Sequence, residues 1–170
     1  MGQNIYDQTI PQFIKMLKNL DHILGKAAAY AETKKFDVNN FTTSRLAPDM
    51  LPFTKQIQIA SDTAKALVHL AGREVPVFED NEKTWPELQT RVRKTITLLE
   101  SLKPEEFKNA QEVKVSPKWA GGKWLHAQEY VNEVAIPNLY FHIATAYALL
   151  RSAGVDLGKG DYLGAVNYKN

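Results

Sequence analysis

The run Ala135-Ile-Pro-Asn-Leu-Tyr-Phe-His-Ile-Ala-Thr-Ala-Tyr-Ala-Leu-Leu150 carries no formal charge and is bracketed by Glu133 and Arg151. Uncharged as it is, this helical run falls short of the ~18 apolar residues that a bilayer span needs. It reads as a helix enclosed by other helices, which confines the chain to folds able to surround it. Val131, Ala135, Asn138, His142, Thr145 and Leu149 recur at helical spacing through this region. Positions four apart share a face, so Asn138 and His142 are expected to look into the same interior space.

Three more segments have the matching period. From Ile5 to about Lys35, Ile10, Phe13, Ile14, Leu17, Leu20, Leu24, Ala27 and Ala31 form one stripe, with Asp7 as the expected cap and Pro11 near the start. Phe36 to Ala47 reads as a loop. A second helix is expected over roughly 49–71, capped by Asp49 and stopped by Gly72. Thr84-Trp-Pro-Glu87 is a capping-box pattern opening a third helix that runs to about Ser101. Between 111 and 127 the pattern alternates around Gly121-Gly122, which predicts a small hairpin. The last helix is expected over 128–153, bending at Pro137 and ending at Gly154, with a loose tail from Gly158 to Asn170. These elements predict an all-α, four-helix bundle with a β-hairpin inserted before the last helix, and 170 residues suit a single domain spanning 1–170.

With 44% hydrophobic residues, 24% charged residues and a net charge of +2, the composition is that of a globular protein without a polyanionic partner. No nucleic acid partner is expected. Arg91, Arg93 and Lys94 form the densest basic group and read as a solvated helix face. No cysteine is present, so thiolate catalysis and Cys-based metal sites are excluded. The first residues carry neither a signal-peptide pattern nor a myristoylation motif, and no apolar run is long enough to span a bilayer. The expectation is a cytoplasmic protein with no membrane partner. Nucleophile-elbow, P-loop and dinucleotide fingerprints are missing, and Tyr140, Phe141 and Tyr147 read as core and interface packing.

Of the four histidines, His22 lies off its helix stripe and reads as solvated, and His126 reads as a hairpin surface residue. His69 belongs to a solvated polar seam with Gln58, Asp62 and Lys65. His142 alone is placed inside. Two readings stay open for it: a neutral core histidine bonded to Asn138, a tyrosine or a carbonyl, or an imidazole ligand or general base lining a pocket. A zinc or nickel site would need oxygen donors such as Asp49, Asp62, Glu129 or Glu133 to complete it.

The pieces Ile5-Tyr-Asp, Arg45-Leu-Ala-Pro-Asp-Met-Leu-Pro-Phe, Gln56-Ile-Gln-Ile-Ala-Ser-Asp, Thr84-Trp-Pro-Glu-Leu and Ile136-Pro-Asn-Leu-Tyr-Phe-His together resemble the uncharacterised family of the domain of unknown function nineteen-ninety-three. The resemblance runs from about Ile5 to Leu163, and the family looks like a branch of the DinB/YfiT-like superfamily of four-helix bundles. It implies an up-down-down-up bundle and a homodimer. Better-known members hold a divalent metal with three histidines, and some transfer small thiols; here only His142 keeps its type, Asn138 stands at the other late position, and the second helix offers Gln56 or Gln58. The expectation is a small organic ligand held near Asp49, Gln56, Asn138 and His142, between helices two and four. The rivals are a divalent-metal-dependent transferase or hydrolase with a degenerate site using His142 and Asn138, and a purely structural dimer.

Overall fold

Asn4 sets the first helix: its side-chain oxygen accepts the Tyr6 N–H at 3.2 Å, and α1 runs Ile5–Lys34. Asn4 is therefore the cap, and Asp7 lies in the first turn, where its charge suits the positive helix end. The left-handed Lys35 closes α1. The computed structural model describes residues 4–169. The N-terminal residues 1–3, on which the expectation of no leader or acylation motif partly falls, and Asn170 lie outside the described residues.

The second helix begins later than its sequence pattern predicts. α2 is Phe53–Lys65, continued by a 3-10 stretch, Ala66–Ala71, and stopped by Gly72 at φ 71°. Backbone carbonyls of the preceding loop satisfy its first N–H groups: Phe53 N donates to Ser44 O at 2.9 Å and Thr54 N to Thr42 O at 3.0 Å. With those donors taken, no side chain caps the helix, and Asp49 sits exposed in a turn four residues upstream. Asp49→Ala is thus expected to change stability by no more than about 0.5 kcal/mol. Urea unfolding checks it, and a cap-sized loss above about 1 kcal/mol would reinstate Asp49 as the cap.

α3, Trp85–Glu100, opens as its capping box predicts, with Glu87 accepting the Lys83 and Thr84 N–H groups at 2.7 and 2.8 Å. A two-residue antiparallel hairpin, β1 Lys114–Val115 and β2 Leu125–His126, follows. The last rod comprises α4 Ala127–Tyr130, a π-helical turn Val131–Ala135, and α5 Ile136–Ser152. Pro137 has no N–H and its ring crowds the preceding turn, so the expected bend is taken up by a wider turn in which Ile136 N donates to Val131 O, five residues back.

The pairs between helices fix the topology. Lys18 meets Glu100 and Leu24 O meets the Trp85 indole, so α1 and α3 are antiparallel. Phe53 stacks on Trp85 and Asp62 pairs with Arg91, so α2 and α3 are parallel. Gln56 meets His142 and Thr63 meets Asn138, so α2 and α5 are antiparallel. With α1 also packed on α5, the four close a ring around a continuous apolar core in up-down-down-up order. Parallel neighbours need a connection that returns the length of the bundle, which is why residues 72–84 form a long crossover.

Arg91 pins that crossover. Its side chain is only 2% exposed and reaches Asp62 at 2.9 Å, Asp80 at 3.0 Å and Glu82 at 2.9 Å. Burial pulls its pKa down, but the three carboxylates outweigh that and leave it raised. The solvated face predicted for Arg91, Arg93 and Lys94 therefore holds for the exposed Arg93 and Lys94 only. The polar seam on α2 is likewise mostly interior: Gln58 and Lys65 are buried beside Arg91's partners, and His69 is the exposed member.

The tail is not loose over its first part. α6, Lys159–Leu163, docks on α1 through Asp161, which accepts from Lys26 at 3.0 Å and meets His22 at 3.0 Å, and through Asn19, which donates to Tyr162 O at 2.8 Å. His22 is accordingly a partner of the tail, although 60% of its side chain is exposed. The Gly158 N–H most of all, with Lys26 and His22 after it, holds the Asp161 pKa down to about 2 against the opposing effect of burial. A carboxyl whose folded pKa lies below its unfolded value stabilises fully above the unfolded value, about 4, and loses that support as pH falls through the folded one. Protection of the Gly164 amide, bonded to Gly160 O, is expected to fall selectively between about pH 4 and 2, and Asp161→Asn to flatten that dependence. Hydrogen exchange corrected for intrinsic rates is the measurement.

Candidate functional site

α2 and α5 face each other along one seam, and the helical period puts Gln56 and Thr63 on the face of α2 that meets α5. Asn138 Nδ2 donates to Thr63 Oγ1 at 2.7 Å, and His142 Nδ1 lies 2.7 Å from Gln56 Oε1. The polar pair on α5 is thus not bonded to itself. Of the partners left open for His142, neither Asn138 nor a tyrosine nor a backbone carbonyl is the one it takes; each of the two residues bonds across the seam to a side chain of α2.

This arrangement fixes the imidazole tautomer. Gln56 Nε2 is committed to Leu51 O at 2.9 Å, which turns the Gln56 carbonyl oxygen toward His142. A carbonyl oxygen only accepts, so Nδ1 carries the proton and Nε2 is left with a lone pair. Among the described residues Nε2 has no hydrogen-bond partner, and the buried polar atoms lacking one are Gln58 Oε1, Ser61 Oγ and Arg91 Nε. His142 as a whole is 7% exposed. Burial lowers the His142 pKa, so the ring is neutral at pH 7. Phe141 stands edge-on to the ring with centroids 5.1 Å apart and is 55% exposed, as is 47% of Leu51. Phe141 is therefore a surface aromatic, not core; Tyr140 and Tyr147 are half-buried.

Of the four residues expected to line one pocket, Gln56 and His142 meet, Asn138 joins the same seam one turn away through Thr63, and Asp49 enters none of these bonds. Thr63 escaped the sequence reading because a threonine within an apolar period gives no signal of its own. Among the described residues no three His, Asp or Glu side chains come together as a metal site. His126 is exposed, with its ring edge against Trp124 at 5.0 Å.

Two adjoining grooves lie beside the hairpin; one reaches the seam at Asn138, and neither is lined by His142 or Gln56. One, of about 400 Å³, is lined by Trp119, Glu133, Val134, Pro137, Asn138 and Phe141; the other, of about 540 Å³, shares Trp119, Glu133 and Val134 and extends over Trp124 and Lys123. The indoles come from the hairpin, where the repeated Lys118-Trp119 and Lys123-Trp124 pairs were the available sequence signal.

No described helix is long and apolar enough to cross a membrane. No curated protein matches this chain. Among solved structures, a DinB family member protein from Shewanella denitrificans superposes with a TM-score of 0.91 at 47% sequence identity, covering 98% of this chain and 95% of that one. The family model described as Domain of unknown function (DUF1993) matches residues 5–163. By sequence over nearly its full length, and by a helical fold shared with a DinB family member, this chain belongs to the DUF1993 family.

Proposed function

We propose that this protein is a small-molecule-binding bundle whose recognition atom is Nε2 of His142. The observation that carries the reading is the Gln56–His142 bond at 2.7 Å, which holds a neutral imidazole in one tautomer and leaves the Nε2 lone pair free for a ligand, beside the apolar Phe141. A preorganised neutral acceptor favours an O–H or N–H donor on a ligand with an apolar body, and the seam between facing bundle helices is where such sites occur. Asn138 supplies a second polar group on the groove side.

The test is a fragment screen by ligand-observed NMR on wild type and His142→Phe, which keeps a ring but lacks the acceptor. Donor-bearing fragments lost from the variant support the reading; an identical hit list from both proteins overturns it. A melting temperature raised by zinc or nickel in wild type and not in His142→Ala would put the metal-dependent alternative in its place. Independently of ligand, His142→Ala is expected to destabilise by about 2–3 kcal/mol, since it opens a void and leaves Gln56 Oε1 short of its donor. Urea denaturation followed by circular dichroism measures it.

A further inference from the structure

The hairpin combines lysines with exposed indoles. Residues 113–128 contain Lys114, Lys118 and Lys123 and no acidic residue, between Glu112 and Glu129. Two Lys-Trp pairs flank the turn at Gly121 and Gly122, which take φ 58° and 83°. Trp119 is 75% exposed and Trp124 47%, against 1% for Trp85. The Lys114 ammonium lies 4.2 Å from the Trp124 ring centroid, and Trp119, Lys123 and Trp124 line one groove.

Exposed indoles are costly in water and favourable at the level of lipid headgroups, where the ring is buried and its N–H still finds a partner. Lysines beside them favour a negatively charged surface. Glu133, on the helix wall of the groove, is the opposing charge, and it sits behind the hairpin's own residues in sequence and not on the turn. We propose that the hairpin tip docks on anionic lipid, with Trp119 and Trp124 entering the headgroup region and Lys118 and Lys123 meeting lipid phosphate or carboxylate. The sequence expectation of no membrane partner rested on the want of a spanning segment, which a surface contact does not require.

The experiment is co-sedimentation of the full chain with vesicles of phosphatidylcholine alone, and of equal parts phosphatidylcholine and phosphatidylserine. Anionic vesicles are expected to bind more than about tenfold better, with the gain lost at high salt. Brominated lipid is expected to quench part of the tryptophan emission in wild type and none in Trp119→Ser/Trp124→Ser, where buried Trp85 remains as a reporter of the intact fold. Lys118→Glu/Lys123→Glu is expected to abolish the anionic preference. Equal binding to both vesicles, quenching that survives the double serine variant, or tighter binding of a single-stranded RNA oligonucleotide would each overturn the proposal.

Discussion

Trp85→Ala is expected to lose about 3–5 kcal/mol, the range for removing a large aromatic from a packed core. From the first turn of α3, Trp85 touches α1, α2 and the segment before α2. Its ring stacks on Phe53 at 5.1 Å and 13°, lies 5.9 Å from Phe41, and donates through Nε1 to Leu24 O at 3.2 Å. Its backbone N–H is held by Asn39 at 2.8 Å, which ties the short 3-10 turn Val38–Phe41 to the same corner. Alanine leaves a void that rigid helices on three sides cannot close. Guanidinium unfolding read by circular dichroism is the measurement, and Trp85→Phe should lose distinctly less; equal losses for the two would mean that the indole hydrogen bond, and not the volume, dominates.

Arg91→Ala should destabilise by about 3–4 kcal/mol, toward the lower end for breaking a buried ion pair. The magnitude is limited because Asp62 and Asp80 are 41% exposed and water replaces the lost cation there. Glu82, at 11%, is the carboxylate left stranded, since its remaining bonded partner is the Gln58 amide. The crossover also loses the Arg91 bond to Glu79 O at 3.1 Å, so limited proteolysis between 73 and 83 should accelerate ahead of global unfolding. A second change, Glu82→Gln, should restore part of the stability in the Arg91→Met background, where side-chain volume is kept and no charge remains. Failure of that rescue would show that the arginine acts through packing alone.

Helix period and stop signals made most of the fold legible: the four stripes, the Thr84-Trp-Pro-Glu87 start, the hairpin and the Gly72 and Gly154 ends all appear where the pattern puts them. What failed did so because the deciding partner lies far away in sequence. Arg91 flanks an apolar stripe and reads as solvated until Glu82 and Asp62, from the crossover and α2, close over it. Asp49 fits a capping rule that counts side chains, whereas Ser44 and Thr42 supply backbone carbonyls to the same N–H groups. At the candidate site, helical spacing put His142 on the interior stripe, where it is 7% exposed, but Gln56 was named through the family resemblance alone, because one helix's period cannot say which residue of another will face it. Asn138 therefore pairs with Thr63, not with its own neighbour. The α6 dock was invisible because five residues with Gly160 inside have no helical period to detect.

The seam that builds the site joins residues 86 positions apart in the chain, His142 and Gln56, and 75 apart, Asn138 and Thr63. Closing so long a loop before any contact rewards it slows folding, and a nascent chain carrying only α1 to α3 has no α5 to cover the apolar flank of α2. During synthesis the bundle is therefore an open trough until its least charged helix emerges and drops in. That order makes the α2–α5 seam a late feature of the bundle, and it makes C-terminally truncated products the forms most prone to aggregate.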